Sequence, residues 1–213
     1  MKTPVELRYD KLGPKVAKAL ESRFFEAWYF SEPAEAVEKV FSLIPKTDVI
    51  SWGGSNTTTD LNLTKLAVEK GYKVIDRDKA TSPAERMELM RQAMLCDTYL
   101  TGTNALTEDG QMVNVDGNGN RVAAMTFGPK QVIVVAGMNK VVQTVMDAYT
   151  RARTIAAPAN VMRFPDYKPP CSETGACADC LSAHSICAYI VRTRICRPKG
   201  RIKVILIGKD LGF

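Results

Sequence analysis

Short apolar runs that alternate with helix-patterned stretches constrain this chain more than any other feature. Asp48–Trp52, Tyr72–Asp76, Thr98–Thr101, Met112–Val115, Gln131–Ala136 and Arg201–Gly208 each read as a strand of four to eight residues. The stretches between several of them are helical in pattern. Val16, Leu20, Phe24 and Phe25 recur at helical spacing after Pro14, and a second helix follows Ser31, with Ala36, Val37, Val40 and Phe41 on one face. Leu61, Leu63, Leu66, Ala67 and Val68 predict another. Ser82–Met94 carries a Ser cap, Pro83 in the first turn and Glu85 at the third helical position. A further helix is expected from Lys140 to about Ile155. Strands that are continuously apolar are buried on both faces, as in parallel sheets covered by helices. The pattern therefore predicts an open, mostly parallel α/β sheet with helices on both faces, preceded by a helical segment over about 1–45.

In such sheets, ligands bind where strands end and helices begin. Two loops stand out there. The first runs from Gly53 to Asp60 and offers Gly53, Gly54, Ser55, Asn56 and Thr57: glycines that allow close backbone approach, then hydroxyls and free helix N–H groups suited to a phosphate or carboxylate. It lacks the spacing of a P-loop or a dinucleotide fingerprint. The second runs from Gly102 to Arg121. Its turn signals predict a β-hairpin, which accounts for Gly110, Gly117 and Gly119. Hairpin geometry does not account for the accompanying Thr103, Asn104, Glu108, Asn114, Asp116, Asn120 and Arg121. That density of donors and acceptors suits a small polar ligand. Lys140 and Arg121 are the cations available to hold an anion.

Five of the six cysteines fall in one stretch, at 171, 177, 180, 187 and 196. Cys177 and Cys180 form one Cys-x2-Cys hook, flanked by Cys171 and Cys187. Structural zinc commonly takes two such hooks, whereas iron–sulfur clusters tolerate irregular spacing. Cys171, Cys177, Cys180 and Cys187 are thus expected to hold an iron–sulfur cluster or zinc, with free or redox-labile thiols as the alternative. Cys96 and Cys196 read as buried apolar thiols. His184, the only histidine, reads as a surface residue rather than a ligand.

Composition narrows the partners. The formal net charge is +6. Residues 151–203 carry ten basic side chains and three acidic ones, so the excess surrounds the cysteines. Aromatic residues are sparse there and no nucleic-acid motif is visible, so nucleic acid is not the expected partner. Compensation of a thiolate–metal centre, or of a phosphate-bearing ligand, explains the charge better. No apolar run is long enough to span a bilayer and the N-terminus has no signal-peptide core, which predicts a cytoplasmic protein in which disulfides are disfavoured. A Ser/His/Asp triad is implausible with a single imidazole in the cysteine segment, and hydride transfer lacks a dinucleotide fingerprint.

Taken together, Trp52–Thr57, Thr101–Gly110, Asn114–Ala124, Phe127–Pro129 and Val135–Lys140 resemble, in order, the LUD (lactate-utilization) domain family in its short stand-alone form. The cysteine segment, about 165–197, followed by Gly200–Gly208, is similar to the tail of that subfamily. The resemblance covers nearly the whole chain and implies a single domain over 1–213 with a fold of the NagB/RpiA/CoA-transferase group. Proteins of that group bind sugar phosphates, CoA or folates, and some LUD proteins work in bacterial lactate oxidation beside iron–sulfur subunits. It therefore implies a small anionic metabolite (an organic acid, phosphate or CoA derivative), a redox partner subunit or a homodimer, and either organic-acid metabolism with its electron transfer or a non-catalytic metabolite- or redox-sensing module. Glu108 occupies a position where a CoA-transferase relative could place a nucleophilic carboxylate. Its plainer role is that of a turn residue.

Overall fold

The computed structural model describes residues 1–213. Six strands form one parallel sheet. In chain order they are β1 (Glu26–Phe30), β2 (Val49–Trp52), β3 (Lys73–Ile75), β4 (Thr98–Thr101), β7 (Gln131–Gly137) and β10 (Ile202–Ile207), and in space they run β1-β10-β7-β4-β2-β3. The middle strands are buried along almost their whole length, as their unbroken apolar sequences require. Alternate residues feed two separate cores. Tyr99, Val132, Val134, Val204 and Leu206 pack with Tyr9, Val16 and Leu20 of α1 (Pro4–Ser22). Leu100, Ile133, Val135, Ile205 and Ile207 pack on the other face with Ala36 and Val40 of α2 (Pro33–Ser42), and with Leu63 and Ala67 of α4 (Leu63–Glu69). This period-two division is what a sheet covered on both faces demands, and the expected fold class is the one observed.

The remaining strands form a second, smaller sheet of order β8-β5-β6-β9 that the sequence did not reveal as a unit. It consists of β5 (Ala105–Thr107), β6 (Met112–Asp116), β8 (Val141–Val142) and β9 (Tyr189–Thr193). β5 and β6 are the anticipated hairpin. β5 begins four residues after β4 ends and β8 lies just beyond β7, so this sheet hangs from the C-terminal ends of two central strands of the large one. Ala105, Val113 and Val115 bury its inner face against Ala148 and Ala152.

Four elements differ from expectation. The N-terminal segment is not continuously helical, because Glu26–Phe30 is an edge strand paired with β10. Its aromatic residues favour a strand, and that preference becomes visible only once β10 lies beside it. Lys140 is not in a helix but ends a short 3-10 turn, Met138–Lys140. The helix starts at α7 (Val145–Arg151), where Thr144 and Asp147 form a reciprocal capping box, and runs on through a π-helical turn (Ala152–Ala156) into α8 (Ala157–Val161). The helix expected around Leu61–Val68 is present as α4, which starts at Leu63 after a left-handed Asn62, but the loop before it carries a separate short helix, α3 (Asn56–Asp60). Finally, the cysteine segment has one short helix, α9 (Pro170–Thr174), and ends in β9, which pairs antiparallel with β6. Helices α5 (Pro83–Gln92) and α6 (Asn120–Thr126) complete the fold. No helix is long and apolar enough to cross a membrane.

Gly110 joins the hairpin to the large domain layer. It adopts φ +83°, and a Cβ there would lie 2.6 Å from the backbone of Ala19 and Leu20 in α1. Gly110→Ala combines a left-handed backbone with a clash against helix backbone, so it should destabilise the protein by more than ~1 kcal/mol. Urea denaturation of the variant beside the parent measures the loss.

Candidate functional site

A cavity of about 810 Å³ opens along the C-terminal ends of four adjoining strands of the large sheet. β2 contributes Trp52–Ser55, β3 contributes Arg77, β4 contributes Gly102–Asn104, and β7 contributes Lys140. Strands that lie side by side and point the same way deliver the loops after them to one edge, so these sequence-distant residues converge. The roof is formed by the β6–α6 loop with Asp116 and Asn120, and by the cysteine segment from Ser182 to Ala188.

Arg121 organises the roof. Its Nη1 donates to the Asn114 side chain at 2.7 Å and to the Gly102 carbonyl at 3.2 Å; its Nη2 donates to the Asn104 side chain at 2.7 Å and to the Val115 carbonyl at 2.8 Å. Asp116, whose Oδ2 is 3.9 Å from Nε, accepts the backbone N–H groups of Gly119, Arg121 and Val122. Burial disfavours the Arg121 charge and Asp116 opposes that shift. Arg121 therefore lines the cavity, yet both of its terminal nitrogens are held by chain oxygens, and it acts as a brace for the hairpin. Gly53 is required beside it: a Cβ at Gly53 would meet the Arg121 side chain at 3.0 Å.

Lys140 is differently placed. It is buried, its Nζ donates to Thr57 Oγ1 at 2.8 Å, and it forms no salt bridge. Burial, reinforced by Arg151 and Arg121, pushes its pKa down to about 7, while Asp60 opposes the fall. Thr57 itself does not line the cavity; it is buried and positions Lys140. Asn114 is buried behind Arg121, and Gly119 caps α6 with φ +79°. Gly53, Gly54, Ser55, Asn56, Gly102, Thr103, Asn104, Asp116, Asn120, Arg121 and Lys140 all reach the cavity wall. Glu108 does not. It lies half-buried at the hairpin turn, 4.0 Å from the Arg8 guanidinium, and its backbone N–H bonds the Val142 carbonyl.

Arg77 was not singled out from the sequence. Its side chain is 11% exposed, its Nε has no hydrogen-bond partner, and the nearest carboxylate oxygen, on Asp78, is 3.8 Å away. Asp78 is instead engaged by Trp52 Nε1 at 3.1 Å and Arg86 at 2.9 Å. Burial opposes its ionisation, but Trp52, Arg77 and Arg86 together hold its carboxyl below the usual range. Arg77 follows the Tyr72–Asp76 run directly, so the strand-end rule would have found it. Arg163, which also lines the cavity, comes from beyond α8 and has no such local signal.

The four thiols expected to act together do share one location. Cys171, Cys177, Cys180 and Cys187 line a small cavity of about 20 Å³ with Arg153, whose Nε is buried and unpartnered. Arg153 also donates to Cys177 Sγ at 3.7 Å and pairs with Asp179. Burial, followed by the neighbouring thiols, pushes the Cys187 pKa up to about 11. The four soft sulfur donors thus lie beside a guanidinium that pairs with Asp179 and keeps one nitrogen, Nε, without a partner. No three of the chain's His, Cys, Asp or Glu side chains are grouped about a point that one metal ion could occupy. His184 stands apart, exposed, its Nδ1 accepting the Lys168 N–H at 3.0 Å. Cys96 and Cys196 are buried, as expected, and burial drives Cys96 up to about 12.

The chain belongs to the LUD domain family, whose model matches residues 14–207. Among solved structures it is similar to a DUF162 family protein from Deinococcus radiodurans, at TM-score 0.51 and 15% identity over 93% of this chain and 97% of that one. That likeness shows a shared fold. Ribose 5-phosphate isomerase from Plasmodium falciparum matches at TM-score 0.34 and 14% identity, over 52% of each chain. The translation initiation factor eIF-2B of Pyrococcus horikoshii OT3 matches at 0.35 and 18%, over 54% of this chain and 50% of that one. No curated protein matches the sequence.

Two outcomes follow from this geometry. Arg121→Met leaves Asp116 and the two Asn side chains without their partner in a buried site, and should cost about 3–5 kcal/mol of stability, read by urea denaturation. Lys140 falls from 10.5 to about 7 on folding, so between those values the unfolded chain binds the extra proton. Stability should therefore rise with pH across that window, and Lys140→Met should flatten the rise in thermal melts recorded at a series of pH values.

Proposed function

We propose that the protein binds a small anionic metabolite, an organic acid or its phosphate or CoA derivative, in the strand-end cavity. The setting is cytoplasmic organic-acid metabolism of the lactate-utilization kind. The observation that carries this reading is Arg77: a guanidinium mostly withdrawn from water, with an unpartnered Nε, at the wall of a large cavity. A cation largely withdrawn from water is costly unless it is paired, and an anionic ligand against the cavity side of the guanidinium pairs it. Arg163 adds positive potential at the same wall. Gly54 keeps the approach open, since a Cβ there would come within 2.9 Å of an Arg77 terminal nitrogen.

In this reading Arg77 holds the anion, the Ser55 and Thr103 hydroxyls and the Asn120 amide orient the polar remainder of the ligand, and the Arg121 brace keeps the roof in register. Removing one charge-assisted contact is worth roughly 1.5–3 kcal/mol. Arg77→Gln should therefore weaken binding of the preferred acid by about 10-fold or more, measured by isothermal titration calorimetry against lactate, pyruvate, phosphorylated acids and CoA thioesters. Parent protein that binds none of them sinks the reading.

Cys171, Cys177, Cys180 and Cys187 would hold an iron–sulfur cluster, or zinc in the alternative. Such a centre supplies one-electron transfer if it is iron–sulfur, and fold stabilisation if it is zinc. Arg153 would offset its negative charge. Ser185 and Ile186 lie in the walls of both cavities, which favours a functional link, either electron transfer through a redox partner subunit or a homodimer, or sensing without catalysis. Iron content and an absorbance band near ~400 nm in anaerobically purified protein would mark a cluster. Zinc without colour would favour the sensing reading.

A further inference from the structure

Lys140 is a nucleophile in waiting as well as a cation. The residue lines the large cavity, and the one hydrogen bond of its Nζ is to the Thr57 hydroxyl at 2.8 Å. The groups that face it are unusual for a lysine. Arg151 from α7 and Arg121 from α6 repel its charge, and Asp60 from α3 attracts it, but no carboxylate forms a salt bridge with it. Asp60 is itself turned to the backbone N–H of Gly212 at 2.9 Å. A buried amine crowded by guanidinium groups and lacking a carboxylate loses its proton readily. The lone pair on a neutral amine is what attack on a carbonyl carbon requires.

We propose that Lys140 condenses with the carbonyl group of a 2-oxo carboxylate bound in the cavity, forming an imine. This rests on the anion-binding reading above and deepens it by naming the ligand class and the reacting atom. The carbonyl carbon of the bound acid faces Nζ, and its carboxylate lies in the cavity, whose wall carries the Arg77 and Arg163 cations. The nitrogen lone pair forms a C–N bond while the C=O π electrons move to oxygen, which takes up a proton. The carbinolamine then loses its hydroxyl as water, with the second proton drawn from solvent in the cavity, and C=N forms as nitrogen gives up its remaining hydrogen or keeps it as the iminium. One amine and one carbonyl give one imine and one water, and nothing is oxidised or reduced. Thr57 Oγ1 positions the nitrogen by accepting a hydrogen bond from it, and the protons are exchanged with solvent in the cavity.

The test is reductive trapping. Full-length protein is incubated with pyruvate or glyoxylate and cyanoborohydride near neutral pH, and then analysed by intact mass and peptide mapping. The expected result is one adduct, with the mass of the 2-oxo acid less one oxygen, on the peptide carrying Lys140. The surface lysines stay unmodified. Lys140→Arg should still bind the acid by calorimetry but form no adduct. Mapping on the unsubstituted chain gives the answer even if that variant folds poorly. Acid bound in calorimetry without any Lys140 adduct overturns the imine while the anion-binding reading survives. Failure of binding and of trapping together overturns both.

Discussion

The Arg121 guanidinium is the interaction on which the rest of the site depends. It sits where three strand ends meet: against Gly53 after β2, on Gly102 and Asn104 after β4, and on Asn114, Val115 and Asp116 of β6. A buried charge is tolerated only when it is paired and its donors are satisfied, and here the two Asn side chains, two carbonyls and Asp116 do both. The polar residues of the hairpin loop thus divide into two groups. Asn104, Asn114 and Asp116 satisfy Arg121, whereas Thr103 is turned to the Ala105 carbonyl, Glu108 to Arg8, and Asn120 lines the cavity.

That division changes how the cations of the cavity are understood. Arg121 is committed to the chain, Lys140 is held by one hydroxyl and crowded by like charges, and Arg77 is unpartnered at its Nε. Three basic side chains along one wall therefore differ in how they are paired: Arg121 fully, Lys140 by a hydroxyl alone, and Arg77 not at its Nε. The second centre, the four thiols with Arg153, repeats the theme of an under-partnered guanidinium beside a place suited to negative charge. The cysteine segment joins the two. The Ile186 backbone lies 3.3 Å from where a Gly117 Cβ would stand, and the Tyr189 ring lies 3.1 Å from a Cβ at Gly119. Glycines first explained by hairpin geometry also admit the cysteine segment onto the ligand loop.

Much of this molecule was legible in its sequence. Unbroken apolar runs marked the buried parallel strands, because burial on both faces removes any polar alternation. Turn residues marked the β5–β6 hairpin, and Ser82 with Pro83 and Glu85 marked the start of α5, because these are local backbone requirements. The two ligand loops were visible as glycine and hydroxyl clusters at strand ends, and the spacing of the thiols set four of them apart from Cys96 and Cys196. The edge strand Glu26–Phe30 was hidden among helical patterns, since a strand needs a neighbour before its pattern means anything. Lys140 was recognisable as a cation, while its loss of a carboxylate partner depends on where Asp60, Arg121 and Arg151 come to rest.

The sequence by itself determined the elements, the parallel sheet, the family and the two segments where chemistry is concentrated, because local propensity, burial pattern and short motifs act within a few residues. Only the tertiary structure decided which side chains share the cavity. Arg77 and Arg163 arrive from elements far apart in the chain, Glu108 turns away to Arg8, and the thiols meet Arg153 and the ligand loop through contacts between distant segments. The physical reason is the same in each case: burial and pairing of charge are properties of the packed neighbourhood, and no window of sequence contains that neighbourhood.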